Sequence, residues 1–297
     1  MSMPNREVNN FSSQMATEAV KQSNEQEKHQ TPSYSNKYLD FLKRQRNKNL
    51  KIQLTRLLVL VGVLVLWELS AVFQWADPML TSRPSQIVSS FVEMVTTGTI
   101  FQHLWITSLE TVIGFVLSMT LGIIIAIGFW WSSFWSNVME PYVVVLNALP
   151  KVALGPIFYI WLGDRLSIYG MAIAISIIVT IIMIESGFKE ITKSKMKLME
   201  SLGATRWQML KMVLLPASIP NFVATMKVNV GLTLVGVIMG EFLSSKAGLG
   251  YLIIYGGQVF QMDLVMTSIV LLAVLSAILY GMVNLIGKFL KKQYQFD

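Results

Sequence analysis

The chain has 297 residues, of which 53% are apolar and only 14% charged, with a net charge of +7 and no cysteine. A soluble domain carries roughly 25% charged residues, so a water-soluble globule is excluded, as are disulfides and thiolate metal sites. The two histidines, His29 and His103, are too distant in sequence for a histidine metal centre, and the basic excess suits membrane-flanking loops better than nucleic acid.

Residues 1–56 read as a polar cytoplasmic N-terminal tail. Its first 36 residues are rich in Asn, Gln, Ser, Glu and Lys and lack the apolar core of a signal peptide; that composition predicts disorder. Residues 37–51 mix basic residues with Tyr38, Leu39, Phe41 and Leu42. They fit either a short helix lying on the inner leaflet or a simple basic tether.

Apolar runs long enough to cross a hydrocarbon core of about 30 Å then follow. They predict an all-α membrane domain over 57–290, with six transmembrane helices at about 57–75, 108–130, 138–163, 166–187, 218–242 and 264–287. A short cytoplasmic tail closes the chain at 291–297. The second helix carries Gly114, Ser118, Gly122 and Ala126 at spacing four. Small residues so placed let helix backbones approach closely, either as a generic small face or as a dimer seam.

Lys/Arg bias sets the orientation. Residues 37–56 hold Lys37, Lys43, Arg44, Arg46, Lys48, Lys51 and Arg56, and residues 188–217 hold Lys189, Lys193, Lys195, Lys197, Arg206 and Lys211. Lys288, Lys291 and Lys292 follow the last span, whereas the opposite side holds only Arg83, Arg165 and Lys246. Both termini and the loop at 188–217 are therefore expected in the cytoplasm.

That loop has internal structure. Ile191, Met196, Leu198, Met199 and Leu202 lie among charges in a helix-forming run. Gly203 is placed to end the helix, as C-terminal glycines do. Thr205 is placed to cap a second helix reaching Leu214, and Pro216 ends it or opens the next span. A helix, sharp turn and helix on the cytoplasmic face could fit a groove on another protein; an ordinary solvated basic loop is the alternative.

Residues 200–216, E-S-L-G-A-T-R-W-Q-M-L-K-M-V-L-L-P, resemble the "EAA" loop of permease subunits of ATP-binding-cassette (ABC) importers. Gly203, Val213, Leu215 and Pro216 fall on its pattern, while Lys197, Leu198 and Met199 replace the E-A-A itself. Residues 149–163, L-P-K-V-A-L-G-P-I-F-Y-I-W-L-G, and 241–254, E-F-L-S-S-K-A-G-L-G-Y-L-I-I, are similar to stretches of sulfonate, taurine and nitrate importer permeases. So is T-M-K-V-N-V-G at 225–231, with Lys227 in place of an arginine.

The resemblance implies the type I importer fold in a bacterial cytoplasmic membrane, with two permease copies flanking the pathway. It implies a partner ABC ATPase dimer, which carries the ATP and magnesium, so that this chain needs no cofactor and catalyses no bond chemistry. It also implies an extracytoplasmic solute-binding protein. The solute would be small, a sulfonate, taurine or nitrate, or alternatively a thiamine-precursor pyrimidine. Lys197, Glu200, Gly203, Ala204, Arg206, Leu215 and Pro216 would form the ATPase-coupling loop. No G-x-x-x-x-G-K-[ST] run occurs, so no P-loop is expected here.

Ionisable and amide residues inside a membrane are costly and mark functional sites. Glu68, Glu110, Asn147, Lys151, Glu185, Lys227, Asn229 and Glu241 qualify. Pro150 and Pro156 each remove a helical N–H and can break the third span, and transporters place ligand sites at broken helices. Asn147, Pro150, Lys151, Pro156, Lys227 and Glu241 are accordingly the candidate translocation path. Lys151, about 18 Å along the helix from Gly163, could face an anionic solute, snorkel to headgroups, or pair with Glu241 or Glu185. An ion-coupled secondary carrier is the rival reading; it would need paired broken helices in two halves, and only the third span is obviously broken.

Overall fold

The computed structural model describes residues 36–73, 75, 81–191 and 193–293. The expectations for residues 1–35 and 294–297 lie outside them. Every regular element among the described residues is helical. The chain divides into two units, residues 1–66 and 67–297, each taken by itself.

The first unit contains most of helix α1, Asn36–Val72. The basic stretch expected as a separate interfacial helix or a tether is the first part of this single helix. No Gly or Pro occurs between Asn36 and Val61, so nothing interrupts helix propagation from the basic segment into the apolar one.

The second unit contains α2 (Pro84–Thr96), α3 (Thr99–Trp131), α4 (Ser133–Ala148), α5 (Gly155–Glu190), α6 (Lys193–Ser201), α7 (Arg206–Met209), α8 (Ile219–Ser244), α9 (Leu249–Gln258) and α10 (Met262–Gln293). A π-turn at Leu210–Leu214 and a short turn at Leu215–Ala217 carry α7 into α8. α5 and α8 form the most extensive helix pair, and α3 packs on both.

Close packing follows from small residues. A β-carbon on Gly236 would lie 2.6 Å from the Ala172 backbone, and one on Gly240 2.6 Å from that of Ile168. Gly114, Ser118, Gly122 and Ala126 are all buried within the chain; a β-carbon on Gly122 would lie 2.6 Å from Thr180 of α5. The small face of the second span is therefore an internal seam against α5 and α8. Two apolar clusters complete the core. Val230, Leu234, Leu249, Leu252, Leu272 and Leu275 pack α8, α9 and α10 together, while Ala126, Ile184, Phe188, Leu210 and Leu214 join α3 and α5 to the π-turn.

Five helical segments among the described residues are long and apolar enough to span a membrane: 44–72, 99–131, 151–190, 219–244 and 262–293. The expected count of six spans is not matched exactly, and the difference lies at the third span. Instead of one helix over 138–163, α4 ends at Ala148 and Leu149 turns extended (φ −67°, ψ 133°), as a residue before proline tends to do. A 3₁₀ turn follows at Lys151–Leu154, and Pro156 sits in the first turn of α5, where its missing N–H costs nothing. Gly163 then bends α5 with a left-handed φ of 75°. The expected fourth span, 166–187, lies in the second limb of α5. Helices α2 and α9 lie outside the six predicted spans.

Candidate coupling loop and translocation path

The segment 193–217 builds a capped helix–turn–helix arm from local chemistry. α6 ends in a two-bond cap: Gly203 N–H donates to Glu200 O at 2.9 Å and Ala204 N–H to Met199 O at 3.0 Å. That 5→2 and 6→1 pair requires a left-handed residue, and Gly203 has φ 75°. The next helix starts with reciprocal capping. Thr205 N–H donates to Gln208 Oε1 at 2.8 Å, and Gln208 N–H donates to Thr205 Oγ1 at 3.3 Å. Each cap satisfies backbone groups that a helix end leaves unpaired.

Two contacts anchor the arm. Arg206 Nη1 donates to the carbonyl of Trp131, the last residue of α3, at 2.7 Å. That cation therefore sits at the negative end of the α3 dipole. Leu210 and Leu214 are buried against Ala126, Ile184 and Phe188. The outer side of the arm is apolar and bare: Leu198, Leu202, Trp207 and Met212 are each 60–74% exposed. Lys197, Glu200 and Gly203 are also exposed, whereas Ala204, Leu215 and Pro216 are half-buried. Such an exposed cluster on a capped support suits docking into another protein.

The candidate path residues separate into two groups. Asn147, Pro150, Lys151 and Pro156 stay together at the break between α4 and α5. Lys151 Nζ donates to the backbone carbonyl of Asn147 at 3.2 Å, which satisfies one of the carbonyls freed at the end of α4. Its pairing with Glu241 or Glu185 is not found. Glu185 instead accepts from Ser136 Oγ at 2.6 Å and pairs with Lys189 at 2.9 Å. Asn147, Pro150 and Pro156 are exposed and Lys151 half-exposed.

Glu241 and Lys227 lie elsewhere, on α8. Lys227 is half-exposed. Glu241 is 1% exposed and holds the turn after its own helix. Its Oε1 accepts from Thr107 Oγ1 of α3 at 2.6 Å, and its Oε2 accepts from Gly250 N–H at 2.5 Å. Thr107 Oγ1 also accepts from Leu249 N–H at 2.8 Å, and His103 Nδ1 accepts from Gly248 N–H at 3.0 Å. The Gly-Leu-Gly turn is thereby clamped on three successive amides. A β-carbon on Gly248 or Gly250 would lie 2.4 or 2.7 Å from the Glu241 carboxylate.

Thr107 and His103 escaped sequence reading. Their only signal is a spacing of four at the start of a helix. Two further intramembrane polar residues also bind across helices. Glu68 accepts from Ser85 N–H at 3.0 Å and Ser85 Oγ at 2.8 Å. Asn229, fully buried, donates to Thr180 Oγ1 and to Met119 Sδ. Among the described residues no group of three or more His, Cys, Asp or Glu could hold a metal ion.

A polytopic helical bundle with a broken helix and a capped arm bearing an exposed apolar cluster fits a membrane transport subunit. The chain belongs to the family of binding-protein-dependent transport system inner membrane components, whose pattern it matches over residues 118–292. It is thus a multi-pass permease subunit of an ABC importer. A formylaminopyrimidine transport permease of Halalkalibacterium halodurans is 30% identical over 193 residues, covering 64% of this chain and 75% of that one. A permease of Bacillus subtilis named for aliphatic sulfonate transport is 25% identical over 237 residues, covering 80% and 86%. A chain of an inward-facing structure of the MetNI methionine ABC transporter superposes with a TM-score of 0.59 at 16% identity, covering 66% of this chain and 97% of that one. That likeness bears out the type I importer fold.

Proposed function

We propose that this permease translocates a small anionic solute, of the aliphatic sulfonate, taurine or nitrate class, by alternating access driven by an ABC ATPase dimer on the cytoplasmic side. The observation that carries the reading is the bare apolar cluster on the capped arm at 193–217. Closure of the ATPase dimer on ATP brings two such arms together and opens the membrane cavity outward to the loaded solute-binding protein; hydrolysis resets it. ATP and magnesium sit on the partner chain. The permease contributes differential binding between two global states. The basic residues flanking the spans support cytoplasmic termini, and two copies of the chain frame the pathway.

The sulfonate-type relative supports the anionic class, as does the half-exposed Lys151 at the α4–α5 break. The 30% identity to a formylaminopyrimidine permease supports a second reading, in which the solute is a neutral pyrimidine. Proteoliposomes holding the permease, its ATPase and its binding protein distinguish them. ATP-dependent uptake of labelled taurine or an alkyl sulfonate, but not of formylaminopyrimidine, is expected. Uptake of the pyrimidine alone overturns the anionic assignment.

A further inference from the structure

The first unit carries a feature that importing does not use. On α1, Arg44, Lys48, Lys51 and Thr55 recur at i, i+4, i+7 and i+11, bordered by Asn47, Ile52 and Arg56 along one shallow groove. That spacing stacks the three cations on one face of the helix. The opposite face carries Arg46 with Asn49, Leu50 and Gln53, so three of the four cations between Arg44 and Lys51 share one side. Arg44, Lys48, Lys51 and Arg56 are all exposed, and none is in an ion pair among the described residues.

The position of the stripe selects its partner. α1 runs without a break into the apolar segment from Leu57 onward. At 1.5 Å per residue, Lys51 lies about 9 Å and Arg44 about 20 Å along the helix from Leu57. The polar layer of a bilayer adds about 5–8 Å beyond the hydrocarbon, and Lys and Arg side chains extend back toward it. Lys51 therefore reaches headgroup phosphates. Lys48 and Arg44 lie within about one Debye length of them, the range over which an anionic leaflet attracts basic residues.

We propose that the Arg44–Lys48–Lys51 face of α1 is a binding surface for anionic phospholipid headgroups, which selects the lipids beside the first span. The acidic headgroup supplies a counter-charge that no ion pair among the described residues supplies. A protein with an acidic surface is the competing occupant, and the test separates the two.

The full chain is reconstituted in phosphatidylcholine vesicles containing trace spin-labelled phosphatidylglycerol or spin-labelled phosphatidylcholine. The motionally restricted fraction of each label reports which lipid the protein holds. Phosphatidylglycerol is expected to be restricted severalfold more strongly. Each cation near an anionic surface is worth about fivefold in affinity, so the combined variant Arg44→Gln, Lys48→Gln and Lys51→Gln should lose most of that preference. The variant Lys288→Gln, Lys291→Gln and Lys292→Gln, which removes an equal charge after the last span, should keep it. Salt at about 1 M should abolish it in the wild type, and the single variant Lys48→Gln should lower it part-way, which keeps the test open if the stripe variant fails to insert. Equal restriction of both lipids by the wild type overturns the proposal. So does a stripe variant that keeps the lipid preference but loses its ATPase subunit, which would assign the face to a protein.

Discussion

Glu241 of α8 and Thr107 of α3, 134 positions apart in sequence, meet in a 2.6 Å hydrogen bond at the end of the bundle that carries the Gly-Leu-Gly turn. The Thr107 hydroxyl gives its proton to the carboxylate and uses a lone pair for Leu249 N–H. One side chain thus fastens α8 and α9 to α3. Because the groups are buried, losing a partner leaves an unsatisfied donor rather than a hydrated one.

Glu241→Ala should therefore be strongly destabilising. It orphans the Thr107 hydroxyl and the Gly250 amide and leaves a cavity, at about 1–3 kcal/mol for each unsatisfied group. Glu241→Gln keeps the shape and one good acceptor and should cost less. Gly250→Ala should resemble the alanine variant, because its β-carbon would fall 2.7 Å from the carboxylate. Thermal unfolding of the purified chain in detergent measures all three. Equal stability of Glu241→Ala and wild type would remove the clamp from the account.

Lys151→Met should impair transport more than Lys151→Arg, with the binding protein saturated and basal ATPase activity largely retained. The motive is a half-exposed cation bonded to Asn147 O beside a broken helix. Uptake and ATP hydrolysis by reconstituted complexes are measured side by side. Normal uptake by Lys151→Met would leave the lysine as a helix cap alone, and loss of ATPase assembly would make its role architectural.

Gly203 tests the arm. No atom lies within 4 Å of where its β-carbon would be, so bulk is tolerated and the penalty comes from the left-handed backbone, roughly 1–2 kcal/mol for an L-residue. Gly203→Leu should cut ATP-driven uptake with normal membrane abundance. Gly203→Asn, which enters that conformation more readily, should be milder. Full uptake by Gly203→Leu would show that the turn geometry is irrelevant to coupling.

Orientation is tested on the cysteine-free background. Ser201 in α6 and Ser89 in α2 are both exposed. In intact cells an impermeant thiol reagent should label Ser89→Cys and spare Ser201→Cys. Labelling of Ser201→Cys from outside would invert the topology.

The arm was legible in the sequence because its signals are local. A glycine that closes one helix and a threonine that opens the next act within five residues, and both stand where the spacing put them. The clamp was not legible, because Glu241 finds Thr107 only through tertiary packing. Pro150 and Pro156 made the break in the third span legible, because proline removes a helical N–H. Its extent was not legible: α4 stops at Ala148, a 3₁₀ turn intervenes and α5 starts at Gly155, so one expected span over 138–163 is divided between two helices. Small residues at 114, 118, 122 and 126 announced close packing but could not say whether the partner lay in the same chain.

Docking of the ATPase on the arm at 193–217 can be read out by co-purification. Trp207→Asp and Leu202→Asp place charge on the bare apolar cluster without touching the caps or the Arg206–Trp131 bond. Tagged permease carrying both changes should reach the membrane in normal amount, yet retain little ATPase subunit and show no ATP-driven uptake. Wild-type levels of bound ATPase and of uptake in that variant would contradict the account.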